Sequence, residues 1–224
     1  MNKAISFVRL DFITIKPYLT AKNLLLFVGV ALIMLIVNNS PAGAIGLLMS
    51  CAALYASYPF AVGEKSNIDV LYTTLSIKRE TVVLGRYLFA MIIDILAGFF
   101  TFIFSFAVQI VRSRSFDTIE ALATVSVLFM VFSIIQAAQL PVYFKLGYTK
   151  AKFIAYIPFV VLPLAILAGS NFLFDYLSSE RLKGMYEWLA QNTLWAALTG
   201  VMLWLVFVAV SYLMSLSFYK KREF

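Results

Sequence analysis

The chain has no histidine, one cysteine and few charges, and each shortage removes a class of function. Without histidine there is no His-based zinc site, no Ser–His dyad of the intramembrane kind and no haem held by imidazole. Cys51, alone inside an apolar run, has no intrachain partner for a disulfide and reads as a small packing residue. No GxxxxGK[ST] phosphate loop occurs, so this chain does not hydrolyse ATP through one. Nor does any paired-carboxylate or metal-ligand constellation appear. We read the chain as not an enzyme, with no cofactor bound by it.

Charge is short because apolar residues take its place. Charged residues are 13% and hydrophobic ones 62% of the 224 positions, against about 25% charged in a soluble domain. The apolar residues come in runs long enough to cross a bilayer, so we expect an all-α, polytopic membrane protein. The net charge of +7 is then a matter of where loops lie, and nucleic acid is not an expected partner. Ala42-Gly43-Ala44 faintly resembles a signal-peptide cleavage site, but the region before it is too long and another span follows at once, so the N-terminus is expected to be retained.

At roughly 20 apolar residues per span, six segments of a single transmembrane domain (1–224) qualify. They are residues 18–37, 42–62, 81–111, 121–144, 153–174 and 193–219. Counting Lys and Arg at their ends puts 14 of the 18 on one side. The positive-inside rule makes that side, and both termini, cytoplasmic.

Three short segments flank the spans. Residues 1–17 form a cytoplasmic interfacial candidate, with Ile5, Val8, Phe12 and Ile15 on one face and Pro17 marking the bend into the first span. Between spans two and three lies a polar connector. Ser66 and Asp69 suggest an S-x-x-D cap, and Ile68, Leu71, Tyr72 and Leu75 form a stripe at i, i+3, i+4 and i+7. The stripe suits lipid headgroups or a groove on a cytoplasmic partner equally well. On the opposite side Leu182, Met185, Tyr186 and Leu189 share a face near Trp188, as an outer interfacial helix would, serving as an anchor or a gate.

Within the spans, Asp94 is costly to bury and defaults to a functional hypothesis, a proton or cation site, unless it pairs across a helix interface. Gln136 and Gln139 share a helix face and are expected to hydrogen-bond between helices. Pro158 and Pro163 should bend or break the fifth span, as a discontinuous helix on a substrate path or as a packing kink. Asp94, Gln136, Gln139, Pro158 and Pro163 are thus the candidate transport path. One reading consistent with them is an ion- or proton-coupled secondary transporter using Asp94, although the two halves show no obvious internal repeat.

The connector "EKSNIDVLYTTLSIKRETVVLGRY" and the C-terminal "SFYKKREF", with six spans and both ends inside, resemble the membrane subunit of ABC-2 type transporters. The resemblance is to the compact permeases of Gram-positive bacteria, and within them to exporters of amphipathic peptides, such as phenol-soluble modulin exporters and lantibiotic immunity permeases. It implies that the connector is a coupling helix docked on a separate ATP-binding cassette subunit, with Glu64, Lys65, Asp69, Tyr72, Lys78 and Arg79 at the contact. It further implies a second permease copy, identical or related, ATP and Mg in the partner ATPase, contact with membrane lipids, and residence in the bacterial plasma membrane.

Overall fold

The computed structural model describes residues 3–38, 41–74, 77–111, 118–158, 184, 188 and 191–222. Among these the regular structure is helical, without a strand. The order is α1 (Lys3–Ile15), α2 (Ala21–Asn38), α3 (Pro41–Tyr55), α4 (Tyr58–Lys65), α5 (Ile68–Thr74), α6 (Arg79–Val111) and α7 (Thr118–Leu146). A helical stretch α8 (148–158) and the long α9 (Thr193–Lys221) follow.

Four helices among the described residues are long and apolar enough to cross a membrane: Gly43–Lys65, Arg79–Val111, Ala121–Leu146 and Thr193–Lys221. They match the second, third, fourth and sixth expected spans. The first expected span falls on α2, which is 18 residues long. Only the opening of the fifth, to Pro158, is described; Pro163 and most of the outer interfacial segment lie outside the described residues.

Boundaries follow local chemistry. The second span is not one rod. Pro59 has no N–H to offer the carbonyl of Tyr55, so α3 stops there and α4 restarts with Pro59 in its first turn. The Ser57 hydroxyl donates to the Leu54 carbonyl at 2.7 Å across the break. Ser66, read from its spacing as part of an S-x-x-D cap, stands between the two connector helices. It is the C-cap of α4, and the chain turns into α5 at Asn67, whose φ of 49° suits asparagine. Gly147, at φ 76°, ends α7 with its N–H on the Tyr143 carbonyl at 2.9 Å.

α6 organises the packing, with α1, α3, α7 and α9 all against it; α7 also packs on α9, and α2 on α3. Its inward stripe runs through Val83, Tyr87, Ala90, Asp94, Gly98, Thr101 and Ser105, spaced at three and four residues. The later half is small or polar, which lets backbones approach closely. A Cβ on Gly98 would lie 3.3 Å from a Val125 methyl of α7. Aliphatic side chains such as Leu203 and Leu213 of α9 and Ile95 of α6 point outward, where lipid would meet them.

α1 seats on α6 by Phe7, Val8, Asp11 and Ile15, all buried. Ile5, placed on the apolar face by its spacing, is instead exposed together with Ile13, beside Arg9 and Lys16. The outer face of this helix is therefore apolar and basic, as an interfacial helix requires.

Candidate functional site

Two polar regions stand out in a chain this apolar. One gathers at the end where α4, α5, the start of α6, the end of α7, the start of α8 and the end of α9 meet. The other is a seam of polar groups inside the bundle.

At the gathered end, Glu64 is half-buried and its Oε2 accepts the backbone N–H of Thr149 at 3.0 Å. A carboxylate there satisfies an orphan donor at the start of α8 from a different helix. Lys65 and Lys78 are exposed. Asp69 lies in α5. Tyr72, counted with the coupling residues, is turned inward and only 3% exposed. Its ring meets Phe7 edge-on at 4.8 Å, so it pins α5 to α1 rather than offering itself to a partner. Arg79 also faces inward: Nη1 donates to the Tyr219 carbonyl at 2.9 Å and to that of Lys220. These are the carbonyls at the C-terminal turn of α9, where a cation is favoured. Glu80 and Lys220 add an exposed ion pair at 2.7 Å, worth little by itself.

Behind this end sits an ion pair that sequence spacing did not single out. Arg86 Nη1 lies 2.7 Å from Asp11 Oδ1, with side-chain exposures of 5% and 1%. Burial pushes the Asp11 carboxyl up from its ordinary value, and the adjacent guanidinium works against that rise. Arg86 also lies 4.9 Å from the Phe60 ring centroid, and Phe60 stacks on Tyr143 at 5.1 Å. One guanidinium thus ties α1 and α4 to α6, and Phe60 carries the link on to α7. The signal available in the sequence was an acidic residue in the middle of an apolar stripe.

In the seam, Gln136 Nε2 donates to Asp94 Oδ1 at 2.6 Å, joining α7 to α6. Asp94 Oδ2 has no hydrogen-bond partner among the described residues. Gln139 Nε2 donates to the Ala155 carbonyl at 2.5 Å, joining α7 to α8 one turn before Pro158. Both glutamines therefore bond between helices, as their shared face led us to expect. Pro158 is half-buried at the last described position of α8. Trp204 Nε1 donates to Ser133 Oγ at 2.9 Å, from α9 to α7.

A second cluster lies closer to the gathered end, formed by Tyr87, Ser211 and Ser215. Ser211 Oγ donates to the Ala137 carbonyl, which uses its one proton. The 2.5 Å contact between Tyr87 Oη and Ser211 Oγ must then be donated by Tyr87. The 2.8 Å contact between Ser215 Oγ and Tyr87 Oη is in turn donated by Ser215. The chain of donors runs from α9 to α6, back to α9 and into the backbone of α7.

Long apolar helices, buried interhelical polar bonds and a basic, hydrogen-bonded end define a polytopic α-helical membrane protein. The chain belongs to the family described as ABC-2 family transporter protein, whose profile matches residues 6–220. Comparisons with curated proteins and with solved structures found no match. An ABC-2 permease is the membrane component of a transporter, and membership of that family implies pairing with an ATP-binding cassette subunit.

Proposed function

We propose that this chain is the permease subunit of an exporter, moving an amphipathic peptide or a comparable hydrophobic substrate outward with ATP and Mg handled by the partner. The observation that carries the reading is the gathered end. There the connector helices α4 and α5 share an assembly with the first turn of α6, the start of α8 and the last turn of α9. A push on the connector reaches α8 through Glu64, α9 through Arg79, and α1 through Tyr72. Lys65 and Lys78, exposed at this end, are candidate side chains to face an ATPase. A second permease copy completes the unit, both termini are cytoplasmic, and the host membrane is a bacterial plasma membrane.

The test is mild-detergent purification from the native host with quantitative mass spectrometry, using wild type and a Lys65→Glu, Lys78→Glu variant. Wild type should bring down an ATP-binding cassette protein at near-equal stoichiometry, and the variant should insert normally but lose it. Undiminished co-purification and export by the variant would overturn the docking surface. An ion-coupled carrier predicts instead that Asp94→Asn abolishes transport with no ATPase present.

A further inference from the structure

Pro141 lies inside α7, and the helix continues through it to Leu146. A proline has no N–H, so the carbonyl four positions earlier loses its helical donor. That carbonyl belongs to Ala137, which is 3% exposed and out of reach of water. A bare carbonyl in such a place is costly. The donor comes from another helix: Ser211 of α9 bonds to it. Ser211 is held in turn by Tyr87 of α6 and, through Tyr87, by Ser215. All three of these side chains are buried.

We propose that Ser211 is a positioning residue whose hydroxyl stands in for the backbone donor Pro141 lacks, so that α7 holds its line only while α9 is docked against it. Bending of α7 at Pro141 and parting of the α7–α9 seam become one event. The location gives this a use. Ala137, Pro141, Ser211, Phe207 and Met214 help to wall an open-sided, mainly apolar cavity of about 460 Å³ between these helices and α8. Parting of α7 from α9 widens that cavity and breaks this bond in the same movement. The link to transport rests on the export reading; the hydrogen-bond substitution does not, and its test needs neither ATPase nor substrate.

The experiment is a double-mutant cycle on the full chain in bicelles. Ser211→Ala should raise the unfolding equilibrium constant about three- to tenfold, the range of one buried hydrogen bond in a membrane protein. In a Pro141→Ala background the restored N–H serves Ala137, so Ser211→Ala should cost far less. Ser211→Thr, which keeps the hydroxyl, should behave as wild type. A second readout is the distance between spin labels at Val127 and Lys145, both exposed on α7, in a Cys51→Ala background. The distribution should broaden in Ser211→Ala and narrow again in the Pro141→Ala double variant. If Ser211→Ala fails to fold, recovery of folding in the double variant supports the assignment. An equal cost of Ser211→Ala in both backgrounds, or broadening that persists without the proline, would overturn it.

Discussion

A carboxylate and a guanidinium taken out of water together do not tolerate the loss of either one alone. Arg86→Met should leave Asp11 as an uncompensated buried group and destabilise the chain by about 3–5 kcal/mol. Replacing both, as in Asp11→Leu with Arg86→Met, should recover most of that loss. Unfolding curves of the two variants in the same bicelles decide it. At Asp94 the expectation is different, because its bound partner is neutral. Asp94→Asn keeps a polar partner for Gln136 and should be mild, whereas Asp94→Leu strands the Gln136 amide at a cost of about 1–3 kcal/mol. Single residues were legible in the sequence where they broke a strong background. Two amides and an acid inside apolar runs announced themselves, and both glutamines made the interhelical bonds expected of them. Tyr87, Ser211 and Ser215 did not, because a hydroxyl barely disturbs a hydropathy window and its use depends on which helix faces it.

Helices show the same division between what is local and what is not. Four of the six expected spans were readable from apolar run length and match long helices among the described residues, and the break of the second span could have been read from Pro59. The facing of α1 and α5 could not, because both carry apolar residues on more than one side and only the neighbouring helix decides. α1 approaches α6 at Gly85, where an added Cβ would sit 2.8 Å from Phe7 Cδ1. Gly85→Val should therefore push α1 off its seat, at the roughly 1–3 kcal/mol typical of overpacking. The sign is a gain of protease cleavage within residues 3–15, with α6–α9 still protected. Gly147 is constrained twice. Its φ is 76°, and a Cβ there would lie 2.9 Å from Glu64 Oε2 and 3.0 Å from Arg222 Nη2. Gly147→Ala should loosen the α7–α8 junction and weaken ATPase binding while leaving Lys65 and Lys78 untouched, an effect co-purification would detect.

For the whole molecule, the charge count supplied an orientation that contacts within one chain do not test. In a Cys51→Ala background, a cysteine at Lys221 should react with an impermeant thiol reagent only in inverted vesicles, and one at Arg114 only in intact cells. The reverse pattern would put the connector on the wrong face for an ATPase. The candidate docking set also changes with the fold in hand. Read from the chain alone, Tyr72 and Arg79 stood beside Lys65 and Lys78 as equals. Packed, Tyr72 holds α1 and Arg79 holds α9, so charge reversal at Arg79 would unfasten the bundle before it disturbed any partner. Which polar residues face outward is a property of the assembled helices.

The pairing of Asp11 with Arg86 also sets an order of events during synthesis. α1 leaves the ribosome with its carboxylate unanswered, and at roughly 5–20 residues per second several seconds pass before Arg86 follows. In that interval the helix can neither sink into lipid with a bare charge nor dock on a span that does not yet exist. Its basic, apolar outer face gives it a berth at the headgroups until α6 arrives. α1 is thus made well before the span it packs on, and waits at the membrane surface for that span to give it a place.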